Sequence, residues 1–333
     1  MARSKKEHRR RNRTVKPELA IFLAILIAIA GVLLLSQQGS ITGAAVSSAG
    51  ESLGIQDIGI QNIPSITLVL NTTDISKNDT STNLTAYNTT QTNGSSLKVI
   101  YNWLVNGSPI ATLNMPFEGI NGTSGTTANN KTWDYSGLGN HGNETGGVLW
   151  NASGGYDGKG AYMFKTESSR YIDLGDKSHF KNVCNNGCTF GAWVYWTGSA
   201  SSGAQATSTI IGRLDTTDED RFFWLLIQNT SLADAQFYIY QNGSTATECR
   251  VSGATGILLN GWTHVMARYN GTHAAVFING TQQVMTNCAS YSGIPTFTSI
   301  NSTAWQDSEK TFIGARDDSS TTQFFNGTID EVM

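Results

Sequence analysis

The sequence predicts an all-β protein: an antiparallel β-sandwich of jelly-roll type, preceded by a small β-module and an N-terminal transmembrane helix. Three observations predict it. From Thr112 onward, short runs of β-branched and aromatic residues recur at close, regular spacing with Gly, Asn and Ser between them. Gly261–Gly280 (GWTHVMARYNGTHAAVFING) sets two such runs, Trp262–Tyr269 and His273–Ile278, around Asn270-Gly271, and a second Asn-Gly closes the stretch. Asn-Gly supplies the positive φ angles of a tight hairpin turn. Leu19–Leu35 (LAIFLAILIAIAGVLLL) is seventeen residues without a charge.

Residues 1–18 hold eight Lys/Arg against Glu7 and Glu18. With +6 there and −3 overall, the remainder carries −9. A mildly acidic body gives no electrostatic reason to expect nucleic-acid binding. As a helix, Leu19–Leu35 spans roughly 26 Å, enough for a bilayer core. The basic cluster before it keeps the N-terminus cytoplasmic, so everything after Ser36 is exported. A cleaved signal peptide is the rival reading. Its core runs about 7–15 residues with a small-x-small site close behind. Here the best such site, Thr42-Gly43-Ala44, is well downstream, and an uncleaved single-pass anchor in the cell membrane is expected.

Residues 36–63 are small and polar and read as a flexible linker. Residues 64–111 read as a small or incomplete immunoglobulin-like β-module, with strands at Ile66–Leu70, Asn83–Tyr87 and Lys98–Val105 and Trp103 as its core tryptophan. About fifty residues is half of a full domain of that type. The sandwich occupies 112–333. Its expected strands are Thr112–Met115, Gly147–Trp150, Gly160–Phe164, Tyr171–Leu174, Thr189–Trp196, Thr209–Leu214, Phe222–Gln228 and Gln236–Gln241, then Cys249–Ser252, the hairpin, Gln282–Asn287, Lys310–Ala315 and Thr328–Met333. Trp262–Tyr269 is apolar on both faces, as suits an interior strand.

Charged residues are 14%, against about 25% in ordinary soluble domains. Four cysteines allow three pairings, and sequence does not choose among them. The pairing expected is Cys184 with Cys188 across Asn185-Asn186-Gly187, and Cys249 with Cys288. A zinc site is weakly supported, because the second pair lacks close spacing and no His sits near either cluster. Sixteen N-x-[ST] sequons lie in the exported part. Seven are Asn-Gly-[ST] and already serve as turns; the other nine fit a glycosylated surface protein.

WDYSGLGNHGN (133–143), GGYDGKGAYMF (154–164), YIDLGD (171–176), FGAWVYW (190–196), GWTHV (261–265), VFING (276–280), FIGARDD (312–318) and FNGTIDEV (325–332) follow one another in an order that resembles a LamG-like jelly roll. That places residues 112–333 beside the concanavalin A-like lectin/glucanase superfamily. The resemblance implies two stacked antiparallel sheets that bind sugars or proteins, with a minority of members acting as glycosidases. In the family the IDEV strand runs on; here the chain stops at Met333, and a fragment is expected, since a truncated strand leaves backbone groups of its neighbour unpaired.

Glycosidases use two carboxylates, about 5–5.5 Å or 6.5–9.5 Å apart. The E-x-D-x-x-E-like strand of the superfamily's glucanases is absent. Asp218-Glu219-Asp220 reads as a solvated loop, and Asp307-Ser308-Glu309 precedes its strand. The five His are scattered and no Ser lies in a G-x-S-x-G elbow. Sugar sites combine aromatic platforms with polar groups, but the eight Trp cannot be sorted into core and surface from one sequence. The resemblance further implies one structural Ca²⁺ tying the first strand, an early loop and the last strand. Its expected ligands are Glu118, Asp134 and Asp330, since calcium takes six to eight oxygens. Alternatively, Asp134 caps its own turn and Asp330 is a plain surface acid. The function expected is a membrane-anchored surface protein binding glycans or partner proteins. A surface glycosidase and a ligand-free envelope scaffold are the alternatives.

Overall fold

The computed structural model describes residues 100–121, 131–165, 169–181, 183–198, 207–214, 221–229, 233–243, 248–288, 309–316 and 323–333, and the backbone of 65–72 and 84–91. The chain divides into two compact units, Met1–Val99 and Ile100–Met333. In the first, β1 (Ser65–Thr72) and β2 (Leu84–Gln91) pair antiparallel from Ser65↔Gln91 to Thr72↔Leu84. Among the described residues no helix is long and apolar enough to cross a membrane; Leu19–Leu35 and the 36–63 linker lie outside them.

The second unit begins with a two-residue hairpin, β3 (Leu104–Val105) and β4 (Ser108–Pro109), turning at Asn106-Gly107. Trp103, expected in a core, is half-buried here and Val105 is exposed. Short strands follow: β5 (Ile120–Asn121), β6 (Lys131–Thr132), β7 (Gly142–Thr145), β8 (Leu149–Asn151), β9 (Ala161–Phe164) and β10 (Tyr171–Gly175). One turn of helix, α1 (Ser178–Lys181), precedes the long strands β11 (Cys188–Trp196), β12 (Thr207–Arg213), β13 (Arg221–Gln228), β14 (Asp234–Gly243) and β15 (Glu248–Thr255). The hairpin read from the sequence is β16 (Trp262–Tyr269) and β17 (His273–Ile278), at the predicted bounds, and β18 (Thr281–Asn287), β19 (Thr311–Ile313) and β20 (Gly327–Asp330) complete the unit.

The strands form an antiparallel sandwich. Among the described residues one sheet runs β15-β14-β13-β12-β19-β10-β7-β6-β5 and the other β18-β17-β16-β11-β20-β9-β8. Chain neighbours are not always sheet neighbours: β11 lies between β16 and β20, and β19 between β12 and β10. The core forms where the two inner faces meet. Phe190 of β11 packs on Phe223 of β13 and Phe237 of β14, with ring centroids 4.4 and 5.8 Å away. Val194, Val265, Val276 and Ile329 from one sheet and Leu225, Ile227, Ile239 and Val251 from the other share that core. The expected strand Thr112–Met115 is extended and buries Leu113, Met115 and Phe117, but pairs only at the bridge Met115↔Val332. Residues 113–118 are buried without alternation, and a continuous partner strand is what the segment lacks.

Both expected disulfides form, Cys184–Cys188 and Cys249–Cys288. The second joins edge strand β15 of one sheet to the end of edge strand β18 of the other, so it holds the sheets together on the open side. It closes a separation of 39 residues, against 4 for the first. Chain entropy then assigns about 4 kcal/mol to the long loop and about 2 kcal/mol to the short one. Replacing Cys249 and Cys288 by Ser is expected to lower Tm more than replacing Cys184 and Cys188. Calorimetry of the two double variants checks this; equal shifts, or the reverse order, would refute it.

A candidate saccharide-binding cleft

β11 and β16 lie side by side in the seven-stranded sheet. Alternation along each strand sends Phe190, Ala192 and Val194, with Thr263, Val265 and Ala267, into the core. The same period turns Trp193, Tyr195, Trp262 and His264 to the outer face. Register sets Trp193 opposite His264 and Tyr195 opposite Trp262, and β20 places Asp330 on the other side of Trp193. Cross-strand neighbours on one face touch: Trp193 and His264 rings lie 5.2 Å apart, and Tyr195 and Trp262 rings 5.7 Å apart.

The loop between β8 and β9 folds onto this face. Gly155 N–H donates to the Lys159 carbonyl at 2.8 Å and Gly158 N–H to the Gly155 carbonyl at 3.1 Å, which leaves Tyr156 and Asp157 at the tip of a tight turn. Two of its glycines sit where other atoms approach closely. A Cβ on Gly160 would lie 2.1 Å from the Phe117 carbonyl oxygen, and one on Gly155 2.6 Å from Asp330 Oδ2. Asp330 is fully buried beneath the loop and tethers it: Oδ2 accepts from Tyr156 N–H and Oδ1 from Glu331 N–H, both at 2.9 Å.

Tyr156 thereby comes to lie flat on Trp193, with centroids 3.4 Å apart and planes 9° apart. Trp262 meets Tyr156 edge-on at 6.2 Å. Tyr156 keeps half of its surface in solvent. With His264, Asn279 and Gly280 these rings line an open cleft of about 530 Å³. Asn279 belongs to the β17–β18 turn, and its Oδ1 accepts from His264 N–H at 2.9 Å. None of the six lining residues carries a carboxyl, hydroxymethyl, thiol or ammonium group. What the cleft offers is aromatic face, a phenol hydroxyl, an imidazole and an amide, groups that suit the apolar C–H face and hydroxyls of a sugar ring.

Burial holds the His264 imidazole below its ordinary pKa, so it is neutral at pH 7. A depressed imidazole pKa adds stability that is present above the unfolded value and lost as pH falls below it. His264 is expected to titrate below about 6.5 when followed by its ring-proton NMR signals. A midpoint at or above that value would overturn the assignment of a neutral ring.

The expected calcium ligands fall in different places. Asp134 opens its Gly/Asn-rich loop as an Asx cap: Oδ1 accepts from Asn114 and Ser136 N–H, and Oδ2 from Ser136 Oγ–H and Asn140 N–H. Glu118 instead joins Asp157 and Glu331, the residue after Asp330, with ligand oxygens all within 4.8 Å of one another. The Lys159 ammonium pairs with Asp157 and lies 3.7 Å from Glu118. Burial, then the charges of Asp157 and Glu118, raise the Glu331 pKa. Burial pushes Asp330 up to about 7, against the Tyr156 N–H bond, which favours its charged form. Asp218-Glu219-Asp220 lies outside the described residues.

Sequence reasoning named no cleft residue as a ligand contact. Part of the signal was present: Trp193, Trp262 and His264 alternate with the residues that face the core, but Trp262–Tyr269 is apolar on both faces, so the pattern did not mark which face is outward. Tyr156 gave no signal, because its place depends on a loop crossing from β8–β9.

No curated protein sequence matches the chain. Among solved structures it is similar to domain 4 of AbnA, a GH43 extracellular arabinanase from Geobacillus stearothermophilus, in complex with arabinotriose. That match has 16% identity over 66% of this chain and 89% of that one, with a TM-score of 0.41. It is similar to the Ruminococcus gnavus IT-sialidase CBM40 at 13% identity over 49% and 83%, with a TM-score of 0.37. It is also similar to a heptameric SAP-like pentraxin from Limulus polyphemus at 16% identity, TM-score 0.31, over 44% of this chain and only 61% of that one. A family model matches residues 166–333, just over half of the sequence. The motifs at 133–143 and 154–164 lie before it, yet the structure builds them into the same sandwich. By that match the chain belongs to the concanavalin A-like lectin/glucanases superfamily.

Proposed function

We propose that the sandwich is a saccharide-binding module and that the cleft of Tyr156, Trp193, Trp262, His264 and Asn279 is its site. The observation that supports this best is the half-exposed Tyr156 ring, seated on Trp193 with Trp262 at right angles. Aromatic rings grouped in one cleft with polar groups at its rim are the kind of surface that marks a ligand-binding groove. The lining is uncharged at neutral pH, so the ligand class is a neutral oligosaccharide. Titration of the purified, unglycosylated chain with neutral and anionic oligosaccharides tests it. Saturable binding of a neutral saccharide with quenching of tryptophan fluorescence is expected; no binding across the set would overturn the reading. For hydrolysis the cleft lacks the two facing carboxylates that glycoside cleavage uses, and binding without turnover is the reading adopted.

The module is proposed to stand outside the cell, anchored through Leu19–Leu35 with residues 1–18 inside and glycosylated on its exported surface. The composition of the N-terminal segment, the two disulfides and the sequons support this. A structural calcium is proposed too, at Glu118, Asp157 and Glu331 in place of the set read from sequence. Three carboxylates so close fit a hard cation with oxygen ligands, and Lys159 is the group that would swing away. Chelation with EDTA is expected to lower Tm, and added calcium to restore it. Identical melting curves with EDTA and with calcium would remove the ion from the proposal.

A further inference from the structure

One rim residue of the cleft is itself a modification site. Asn279, Gly280 and Thr281 form an N-x-T sequon, and Asn279 and Gly280 are the central residues of the β17–β18 hairpin, closed by the pair Ile278↔Thr281. Their φ angles are 50° and 79°, as a two-residue type I′ turn requires. Asn279 and Thr281 are exposed. Asn279 Oδ1 is held by the His264 N–H, while Nδ2, the atom that N-glycosylation modifies, makes no hydrogen bond among the described residues. The Thr281 hydroxyl makes none either. Two other described sequons differ, while Asn106-Gly107-Ser108 is likewise an exposed two-residue turn, with φ of 51° and 79°. Asn326 Nδ2 donates to the Gly198 carbonyl at 3.0 Å, and a sugar there would break that bond. In Asn270-Gly271-Thr272 the Thr272 hydroxyl is tied to Asn270 Oδ1. Asn279 also lines the aromatic cleft.

We propose that Asn279 carries an N-linked glycan and that the first sugars of this glycan lie in the cleft against Tyr156 and Trp262. This rests on the reading of the cleft as a saccharide site. The donor is a saccharide joined through its anomeric carbon to a lipid phosphate or diphosphate, handled by a membrane oligosaccharide transferase. A bond forms between Nδ2 and the anomeric carbon. The bond from that carbon to the lipid phosphate oxygen breaks, and its electron pair leaves with the phosphate. One Nδ2 proton passes to a base of the transferase. Oδ1 takes no part, so its bond to His264 N–H survives.

Tethering changes what an open cleft can do. A sugar attached at the rim has an effective concentration of roughly millimolar, so weak stacking is enough to hold it. The glycosylated chain then has its cleft filled by its own glycan, and the unglycosylated chain has it open. Modification at one residue thus decides whether the site accepts saccharides from outside.

The test uses the full chain, made in a host that N-glycosylates exported proteins and in one that does not, with Thr281→Ala as the variant. That substitution removes the sequon and leaves Asn279 and its bond to His264. Peptide mass spectrometry reads the modification, and hydroxyl-radical footprinting reads Tyr156 and Trp262. The Asn279 peptide is expected to carry a glycan mass that Thr281→Ala loses. Footprinting at both rings is expected to rise at least about threefold in the variant as the tethered sugar disappears. A bare Asn279 in the glycosylating host overturns the inference and leaves saccharide binding by the unglycosylated chain untouched. A modified Asn279 with unchanged footprints overturns the seating in the cleft. Failure of the unglycosylated chain to bind any saccharide is a separate result, against the binding reading itself.

Discussion

Alanine at Tyr156 or at Trp262 is expected to weaken saccharide binding by about thirtyfold or more, while the fold stays intact. The magnitude follows from what an aromatic anchor at the centre of a site contributes, about 2 kcal/mol or more on truncation, and each 1.4 kcal/mol is a factor of ten. Stability should change little on Tyr156→Ala, since half of that ring is already in solvent and its backbone N–H, not its ring, is what Asp330 holds. Trp193→Ala should cost both binding and stability, because that ring is partly buried within the sheet and packs on His264 as well as on Tyr156. Binding isotherms and melting curves of the three variants separate the cases. If Tyr156→Ala and Trp262→Ala bind as well as the parent, the cleft is not the site.

A large stability loss is expected from Gly160→Ala, and it should remove binding as well. A Cβ there would sit 2.1 Å from the Phe117 carbonyl oxygen and 2.9 Å from Trp150 Nε1, which donates to that same carbonyl. Neither is the free end of a flexible side chain, so backbone must move. Such overpacking costs about 3 kcal/mol or more. The displaced segment is the loop that carries Tyr156. Gly158→Ala is the control. It lies in the same loop with φ near +79° but with nothing within 4 Å of its new Cβ. Only the left-handed backbone penalty applies, about 1–2 kcal/mol. Chemical denaturation of both variants reads the contrast. Equal losses at the two glycines would mean that close backbone approach is not what position 160 requires.

Strand positions and the alternation of faces were written in local sequence. The β16–β17 hairpin followed from Asn270-Gly271 between two β-rich runs, because a two-residue turn fixes register without help from the rest of the chain. The two-residue period put Trp262 on one face of its strand and Val265 with Ala267 on the other, without saying which face is outward. The disulfide that joins the two sheets agreed with the expected pairing, but only proximity of β15 and the end of β18 chose it from three.

Tertiary structure decided the rest. Whether an aromatic is core or platform depends on what lies above its strand, and alternation is silent on that. Trp196 and Trp224 are buried, donating their ring N–H to Ser208 Oγ and Thr209 Oγ1, while Trp193 and Trp262 form the cleft. Tyr156 reaches them only because the last strand presents Asp330 to its N–H across 174 residues of chain. The acidic residues show the same division. Sequence could say that Asp134 opens a turn and that Asp330 sits on the final strand. That Asp134 spends both oxygens on its own loop and on Asn114, while Glu118 meets Asp157 and Glu331, was set by where distant segments fold together. Local sequence fixes φ, ψ and the alternation of faces, which act between neighbours; the cleft and the carboxylate group are contacts between strands and loops far apart in the chain, and packing alone creates them.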